Sequence, residues 1–184
     1  GDAISLVCKG MDKNFIEANE WLGRHCRLTP KTIAREQRRA VAEYVYHDQD
    51  GIPLHRKLRY QPKSFSQEHW TAEGWKPGLM KGVDPVLYRL PDVIRAVAEG
   101  RWILLAEGEK DADNLAGLGF CATTQTNGAG SWMDSYTETL KGGNVCIIAD
   151  KDEPGRAHAA MVAKALTGKA RTVKVVELPG EQVK

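Results

Sequence analysis

The sequence predicts an α/β protein in which a mostly parallel four-stranded sheet with flanking helices follows a small α+β region that contains a hairpin. Residues 101–184 predict the sheet, because apolar segments of strand length alternate there with segments of helical length. Residues 42–60 predict the hairpin, because two strand-like segments flank a polar turn. Residues 13–27 carry apolar side chains at helical spacing. We therefore expect two domains, residues 1–100 and residues 101–184.

The elements of the second domain follow from the positions of its apolar segments. The segments with the length of strands are residues 102–106, 120–125, 145–149 and 172–177. The helices predicted between them are residues 110–118, 131–141 and 154–167. Because each helix connects two strands, the strands are expected to run mostly parallel.

The hairpin of the first domain is predicted to have a basic face. Its arms are residues 42–47 and 53–60. Side chains alternate along a strand, so His55, Lys57 and Arg59 share one face, while a mixed and partly apolar set shares the other. We expect the basic face either to follow a phosphate backbone or to be the solvent-facing side of the hairpin.

The segment between the hairpin and the predicted sheet is rich in glycine, proline and tryptophan. We interpret residues 61–100 as an irregular connector with one helix, at residues 91–99. Trp70 and Trp75 in this connector are interpreted as packing anchors rather than as platforms for stacked bases.

The charge of the chain is nearly balanced overall but uneven along the sequence. The net charge is +2, yet residues 31–63 hold eight Lys and Arg residues against four Asp and Glu residues. This local excess, which includes Arg38 and Arg39, fits a polyanionic partner, although a solvated surface would give the same count.

Cysteine usage and hydropathy bear on the compartment. None of the four cysteines, Cys8, Cys26, Cys121 and Cys146, forms a C-x-x-C pair, so we expect no zinc site within this chain and no disulfide framework. The apolar segments are too short to span a bilayer and no signal peptide is present, so we expect no membrane partner and a cytoplasmic location. Since the chain begins at Gly1, we expect it to be a piece of a longer protein.

Two acidic clusters each follow an apolar strand. Glu107 and Asp111 come after the first predicted strand of the sheet, and Asp150 and Asp152 come after the third. The ends of parallel strands meet at one edge of a sheet, so the clusters are expected to converge. Asp150 and Asp152 would point to the same side of extended backbone and would repel each other without a cation. Carboxylates without His or Cys suit Mg²⁺, although helix capping also explains an Asp-x-Asp pair.

Glu107 is the strongest single candidate for a functional carboxylate. Asp111 and Glu109 lie where the helix dipole alone favours acids, whereas Glu107 lies directly at a strand end, where Gly108 would permit a tight turn. We therefore interpret Glu107 as a metal ligand or a general acid or base. A phospho-aspartyl phosphatase would also use an Asp-x-Asp segment but leaves Glu107 unexplained.

A glycine-rich loop follows the second predicted strand of the sheet. Asn127, Gly128 and Gly130 form a loop whose backbone N–H groups could approach a phosphate. The sequence contains no G-x-x-x-x-G-K-[ST] motif, which excludes a P-loop ATPase within this chain.

These motifs together resemble those of the TOPRIM domain, the metal-binding fold of bacterial-type primases, type IA and type II topoisomerases and certain nucleases. Residues 107–111 are similar to its Glu-Gly-x-x-Asp motif, and residues 150–156 are similar to its Asp-x-Asp motif. The glycine loop at residues 127–130 lies between them, as in the family. Residues 1–7 resemble the segment that follows the zinc-binding domain of a primase. The hairpin and residues 88–91, 107–111 and 178–180 resemble the phage-type and plasmid-type primases, which are often fused to a helicase.

The resemblance implies site residues, a cofactor and partners. The implied catalytic residues are Glu107, Asp150 and Asp152, and these three with Asp111 are the implied ligands of Mg²⁺ or Mn²⁺. The implied nucleotide ligands are Lys110, Asn127, Gly128, Gly130 and Arg156. The implied nucleic-acid contacts are Arg38, Arg39, His55, Lys57 and Arg59. The implied activity is synthesis of RNA primers on single-stranded DNA from nucleoside triphosphates, with a replicative helicase or fused helicase domain as partner.

Two other functions stay open from sequence. A TOPRIM nuclease would use the same carboxylates to activate water instead of a primer hydroxyl. A module that binds single-stranded nucleic acid without catalysis would need only the basic residues. A topoisomerase fits less well, because 184 residues leave no separate domain for a strand-breaking tyrosine.

Overall fold

The structure is a computed structural model that describes residues 39–80, 82–126 and 130–179, together with Gly10, Glu17 and Trp21. The chain divides into residues 1–39 and residues 40–184. In the first unit, the three isolated described residues are helical. The rest of the helix predicted at residues 13–27 lies outside the described residues, as does Arg38. The boundary predicted after residue 100 falls inside the second unit.

An antiparallel sheet opens the second unit. Its strands are β1 (Ala40–His47), β2 (Pro53–Tyr60), β3 (Ser64–Thr71) and β4 (Gly74–Pro77), hydrogen-bonded in chain order. The predicted hairpin is confirmed as β1 and β2. In its turn the Asp48 carboxylate accepts hydrogen bonds from the backbone N–H groups of Asp50 and Ile52. Such an aspartate supplies a turn with the bonds that its backbone lacks.

The prediction of an irregular connector at residues 61–100 is wrong over its first part. Residues 64–77 form β3 and β4, which extend the hairpin to four strands. The segment Ser64–Thr71 has few apolar residues, so its conformation is set by pairing with β2 rather than by its own pattern. Trp70 and Trp75 pack edge to face with ring centroids 4.9 Å apart, as expected for packing anchors.

The second sheet is fully parallel. Its strands are β5 (Trp102–Leu105), β6 (Cys121–Thr123), β7 (Asn144–Ala149) and β8 (Thr172–Glu177), in the spatial order β6-β5-β7-β8. The predicted α/β class, with a parallel four-stranded sheet after a region containing a hairpin, is therefore confirmed. The two central strands, β5 and β7, lie side by side, which brings the two acidic clusters to the same edge.

Four helices accompany the parallel sheet in the described part of the chain. They are α1 (Leu90–Ala98), α2 (Glu109–Gly117), α3 (Asp134–Thr139) and α4 (Glu153–Leu166). Each lies within a few residues of its predicted position, and α3 is shorter than the predicted 131–141. Within the described residues, no helix combines the length and apolar character needed to cross a membrane.

Two apolar clusters hold the unit together. The larger one packs α1, α3 and α4 on the parallel sheet and includes Ile103, Val145 and Val162. The smaller one joins the two sheets, because Tyr44 and Tyr46 of β1 belong to the same cluster as alanines of α2 and β6. Full burial of a large apolar side chain contributes about 1.5–3 kcal/mol. The tyrosines of β1 therefore fix the antiparallel sheet against the parallel one.

The face of β2 that was expected to be open and basic is largely buried. His55 and Lys57 pair across the ladder with Tyr46 and Tyr44, which are core residues, so the face of β2 that carries them faces the other sheet. The prediction of which residues share a face holds, but the expected exposure is wrong: His55 is only 7% exposed. Alternation identifies residues on one face but does not tell which face packs inward.

Candidate active site

The candidate active site lies where β5 and β7 end. These strands are parallel neighbours, with Leu105 paired to Ile147. Glu107 and Asp150 follow the two strands, so both carboxylates emerge at the same edge of the sheet. Ligand sites of open parallel sheets lie at this edge, beyond the carboxyl ends of the strands.

The Glu107 and Asp150 carboxyl groups are hydrogen-bonded to each other. This hydrogen bond, together with burial and the negative charges of Asp150, Asp152 and Asp111, raises the pKa of Glu107 to about 7. Two carboxyl groups so close repel each other when both are ionised, which favours the protonated form of Glu107. The expected convergence of the acidic clusters is thus seen in the structure.

Asp152 has a structural role in addition to any chemical one. It is the N-cap residue of α4, and its Oδ1 accepts a hydrogen bond of 2.8 Å from the backbone N–H of Gly155. Pro154 lies in the first turn, where its missing N–H costs nothing. The capping explanation of the Asp-x-Asp pair is therefore correct for Asp152, and it leaves Asp152 Oδ2 outside this cap bond.

Gly155 brings α4 against the end of β7. A methyl group at Gly155 would lie 2.7 Å from the Cβ atom of Asp150 and 3.1 Å from Oδ1 of Asp152. A side chain here would therefore force the turn that carries both aspartates to move. Glycine at this position is needed for space, since its backbone is helical and not left-handed.

A small cavity opens between the two strand ends and α4. Its volume is about 20 Å³, and its lining includes Glu107, Asp150, Gly155 and His158. A cavity of this size holds about one water molecule. His158 therefore belongs to the site, although sequence reasoning did not select it.

His158 also holds the end of the glycine loop. The backbone N–H of Gly130 donates a 3.1 Å hydrogen bond to Nδ1 of His158. Burial lowers the pKa of His158, which keeps the ring neutral and its Nδ1 free to accept. Asn127 and Gly128, the other loop residues predicted to contact phosphate, lie outside the described residues. Gly130, the described residue of the loop, is thus hydrogen-bonded to α4.

The first turn of α2 carries the remaining acids in two different environments. Lys110 and Asp111 are exposed, as a ligand-binding role requires. Gly108 has extended backbone, with φ −137°, so the tight turn expected there is absent and its glycine freedom is not used. Across the described ranges, no three carboxylate, imidazole or thiol groups are close enough to hold a metal ion as they stand.

Glu109 is turned into the protein and is 6% exposed. Its Oε1 accepts a 2.7 Å hydrogen bond from the Tyr46 hydroxyl and lies 2.5 Å from Nζ of Lys57. Burial and the Glu109 charge raise the pKa of Tyr46, so its hydroxyl stays protonated and donates. The expectation that Glu109 is an ordinary first-turn acid is therefore wrong. Lys57, predicted to contact nucleic acid, instead lies in an ion pair inside the protein.

His55 contacts both Tyr46 and Thr126, the residue directly before the glycine loop. Its ring stacks on Tyr46 with centroids 4.3 Å apart, and its Nε2 lies 3.5 Å from Oγ1 of Thr126. Burial and the Lys57 charge lower the pKa of His55 to about 4, so the ring is neutral at neutral pH. A neutral, stacked imidazole is a packing element and contributes no positive charge to a phosphate-binding surface.

The arginines predicted to bind nucleotide or nucleic acid differ in their exposure and in their ion pairs. Arg156 is exposed, and its Nε donates to Glu177 of β8 at 2.7 Å. Arg59 is half-buried and Arg39 is exposed, and neither is ion-paired within the described residues. Arg59 and Arg39 therefore remain available for a phosphate, whereas Arg156 would have to exchange its partner.

Comparisons with known proteins were made for sequence and for fold. No protein-family profile and no curated protein matches the sequence. The fold matches the primase fragment of the bacteriophage T7 primase-helicase protein at a TM-score of 0.53 and 21% identity, over 74% of this chain and 52% of that one. It matches the E. coli primase catalytic core at a TM-score of 0.58 and 18% identity, over 76% of this chain and 45% of that one.

A third match includes nucleic acid. It is a structure of the bacteriophage T7 lagging-strand DNA polymerase with primase domains of two subunits bound to an RNA/DNA hybrid and dTTP, at a TM-score of 0.53 and 22% identity, over 75% of this chain and 65% of that one. The chain thus spans about half to two thirds of the length of these proteins. Its fold is that of the primase catalytic cores.

Proposed function

We propose that this chain is the catalytic part of a DNA primase, which joins ribonucleotides on a single-stranded DNA template. The hydrogen-bonded pair of Glu107 and Asp150, at the strand edge of a primase-like fold, is the observation that carries the proposal. Primer synthesis needs an acidic centre that binds cations and phosphates, and this pair is where the acidic groups of the described residues converge.

The donor set at this centre suits Mg²⁺ or Mn²⁺. Mg²⁺ is usually held by one or two carboxylates, waters and substrate phosphates rather than by an all-protein cage. The raised pKa of Glu107 marks a place where a cation would relieve the repulsion between the carboxylates. Asp111 and Asp152, whose charges act on Glu107, would complete the ligand set. A bound cation would neutralise charge on the transferring phosphates.

Glu107 and the residues around it have distinct roles in this proposal. Glu107 would accept the proton of the attacking primer hydroxyl, since a positioned carboxylate can act as a general base. Asn127 and Gly128 would bind phosphate through backbone N–H groups, next to Gly130, which His158 holds. Lys110, exposed beside Asp111, would contact the incoming nucleotide.

The template and the protein partners are also proposed. Arg38, Arg39 and Arg59 would contact the phosphates of single-stranded DNA. The T7 structures belong to a primase-helicase protein and to primase domains bound to an RNA/DNA hybrid and dTTP. By this likeness we propose nucleoside triphosphates as substrates and a replicative or fused helicase as partner.

The test is incorporation of labelled ribonucleotides on single-stranded DNA with Mg²⁺ or Mn²⁺. We expect products that disappear in Glu107→Gln and in Asp150→Asn. Glu138→Gln is the matched control, because it removes an exposed carboxylate of α3 that pairs only with surface lysines among the described residues. Template degradation lost in the same two variants would indicate a nuclease. Single-strand binding without products, and without Mn²⁺ binding by calorimetry, would contradict the proposal and favour a binding module.

A further inference from the structure

The buried carboxylate of Glu109 is held by two residues of the antiparallel sheet. We call Glu109, Tyr46 and Lys57 the Glu109 clamp. The Tyr46 hydroxyl and the Lys57 ammonium both contact the same oxygen, Oε1, at 2.7 Å and 2.5 Å. Tyr46 is fully buried and the Lys57 side chain is 16% exposed. This contact joins β1 and β2 to the first turn of α2.

Each member of the clamp depends on the others. A buried carboxylate loses its hydration, and only paired charges and hydrogen bonds offset that loss. Loss of Lys57 alone would leave the Glu109 charge uncompensated, whereas loss of both charges would leave a neutral hydrogen bond to Tyr46. Substitution of Lys57 alone should therefore weaken the clamp, and a second substitution at Glu109 should reverse most of that loss.

The clamp lies between two predicted metal ligands. Glu109 is two residues from Glu107 and two residues from Asp111, on the turn that joins β5 to α2. Thr124 bonds the same turn from the other side, since its Oγ1 donates to the Glu107 carbonyl oxygen at 3.0 Å. The backbone that carries Glu107 is thus fixed on one side by Thr124, directly after β6, and on the other by the antiparallel sheet.

Through His55, the clamp is also connected to Thr126 beside the glycine loop. His55 stacks on Tyr46 and approaches Thr126, the residue directly before the loop. Thr126 is itself anchored, because its hydroxyl donates to the carbonyl oxygen of Val86 at 3.2 Å. One face of the antiparallel sheet therefore contacts both the acidic turn and the start of the predicted phosphate loop.

We infer that Tyr46 and Lys57 are positioning residues of the active site, which fix the acidic turn of α2 through Glu109 and so set the divalent-cation affinity of Glu107 and its neighbours. The inference rests on the proposed function for its catalytic consequence. It assigns Lys57 to the protein interior and not to a DNA phosphate. Partners that orient metal ligands typically change metal affinity about 10- to 100-fold when removed.

The test compares Tyr46→Phe, Lys57→Met and the double variant Lys57→Met/Glu109→Gln with the unsubstituted chain. Lys76→Met is the matched control, since Lys76 of β4 forms an exposed ion pair with Glu73 in the same sheet. Mn²⁺ affinity is measured by calorimetry, and hydrogen exchange is measured for residues 106–112 without any cation. Single-strand DNA affinity is measured against salt concentration.

We expect Mn²⁺ affinity to fall about 10-fold or more in Lys57→Met and in Tyr46→Phe, and exchange at residues 106–112 to become faster. The double variant should recover most of both losses, and Lys76→Met should change neither. A general loss of stability would speed exchange throughout the chain and not only at residues 106–112.

Two results would overturn the inference. One is unchanged exchange and unchanged Mn²⁺ affinity in Lys57→Met, with weaker DNA binding and a salt slope reduced by about one, which would make Lys57 a phosphate contact. The other is failure of Glu109→Gln to restore the Lys57→Met variant. A chain that incorporates no nucleotides would refute the primase proposal but not the positioning role of the clamp. Hydrogen exchange at residues 106–112 tests that role without catalysis and without a cation.

Discussion

Gly155 and Asp150 touch through their backbones at the start of α4. A methyl group on Gly155 would lie 2.9 Å from the carbonyl oxygen of Asp150, closer than side-chain carbons approach in folded proteins. The carboxyl end of β7 is therefore in direct contact with the first turn of the helix that Asp152 caps. The position of both aspartates depends on the absence of a side chain at Gly155.

We expect Gly155→Ala to disturb the aspartates and to destabilise the protein by about 1–3 kcal/mol, the usual cost of forcing a methyl group into a packed site. The two shortest contacts are with the Cβ atom and the carbonyl oxygen of Asp150, which no side-chain rotation can move away. Thermal unfolding and Mn²⁺ titration measure the effect. Gly117→Ala is the control, because a methyl group there meets nothing within 4 Å. Equal stability of the two variants would contradict this account.

Substitutions at Asp152 should separate its capping role from its chemical role. Asn caps helices about as well as Asp, whereas loss of an N-cap side chain costs about 1 kcal/mol. We expect Asp152→Asn to leave the unfolding free energy unchanged but to abolish nucleotide incorporation. We expect Asp152→Ala to abolish incorporation and also to lower the unfolding free energy by about 1 kcal/mol. Activity retained in Asp152→Asn would show that the cap is the main role of this residue.

The parallel sheet and its acidic edge could be predicted from the sequence because the determining signals are local. Strands β5 and β7 are apolar segments bounded by polar residues, and parallel neighbours place their ends together. The contact of Glu107 with Asp150 follows from that topology alone. The predicted helices follow from the length of the segments between strands, which fixes the alternating order.

The antiparallel sheet was only partly predictable because its determinants are distant in sequence. Strand β3 is polar and takes its conformation from β2, and the burial of His55 depends on Tyr46 and on the other sheet. Glu109 looks like any acid in a first helical turn, and its partner Lys57 lies 52 residues away. A possible signal was the tyrosine pair of β1, Tyr44 and Tyr46, which marks that face as buried.

His158 should matter for nucleotide binding more than for the chemical step. Its Nδ1 accepts from Gly130, so His158→Ala would release the end of the glycine loop. We expect the KM for nucleoside triphosphates to rise several-fold with little change in kcat, as for lost ground-state binding. His158→Asn, which retains an acceptor near the position of Nδ1, should restore part of the KM. An equal fall in kcat for both variants would indicate a different role.

The Glu107 carboxyl group should make stability without cations decrease as pH rises. Its pKa of about 7 lies above the ordinary value of 4.5, so the folded protein binds this proton more tightly than the unfolded chain does. The resulting stabilisation is fully present below pH 4.5 and is lost as pH rises through 7. Denaturant unfolding from pH 4 to 8, compared with Glu107→Gln, isolates this contribution.

Divalent-cation affinity should have the opposite pH dependence over the same window. A cation competes with the proton bound to Glu107, so the affinity should increase from about pH 5 to pH 7 and then level off. Added Mn²⁺ should accordingly stabilise the folded chain more at pH 8 than at pH 5. Glu107→Gln has no proton to lose at this position, so its unfolding free energy should lack the decrease toward pH 7 and respond weakly to Mn²⁺. An identical pH profile in that variant would mean that a group other than Glu107 carries the titrating proton.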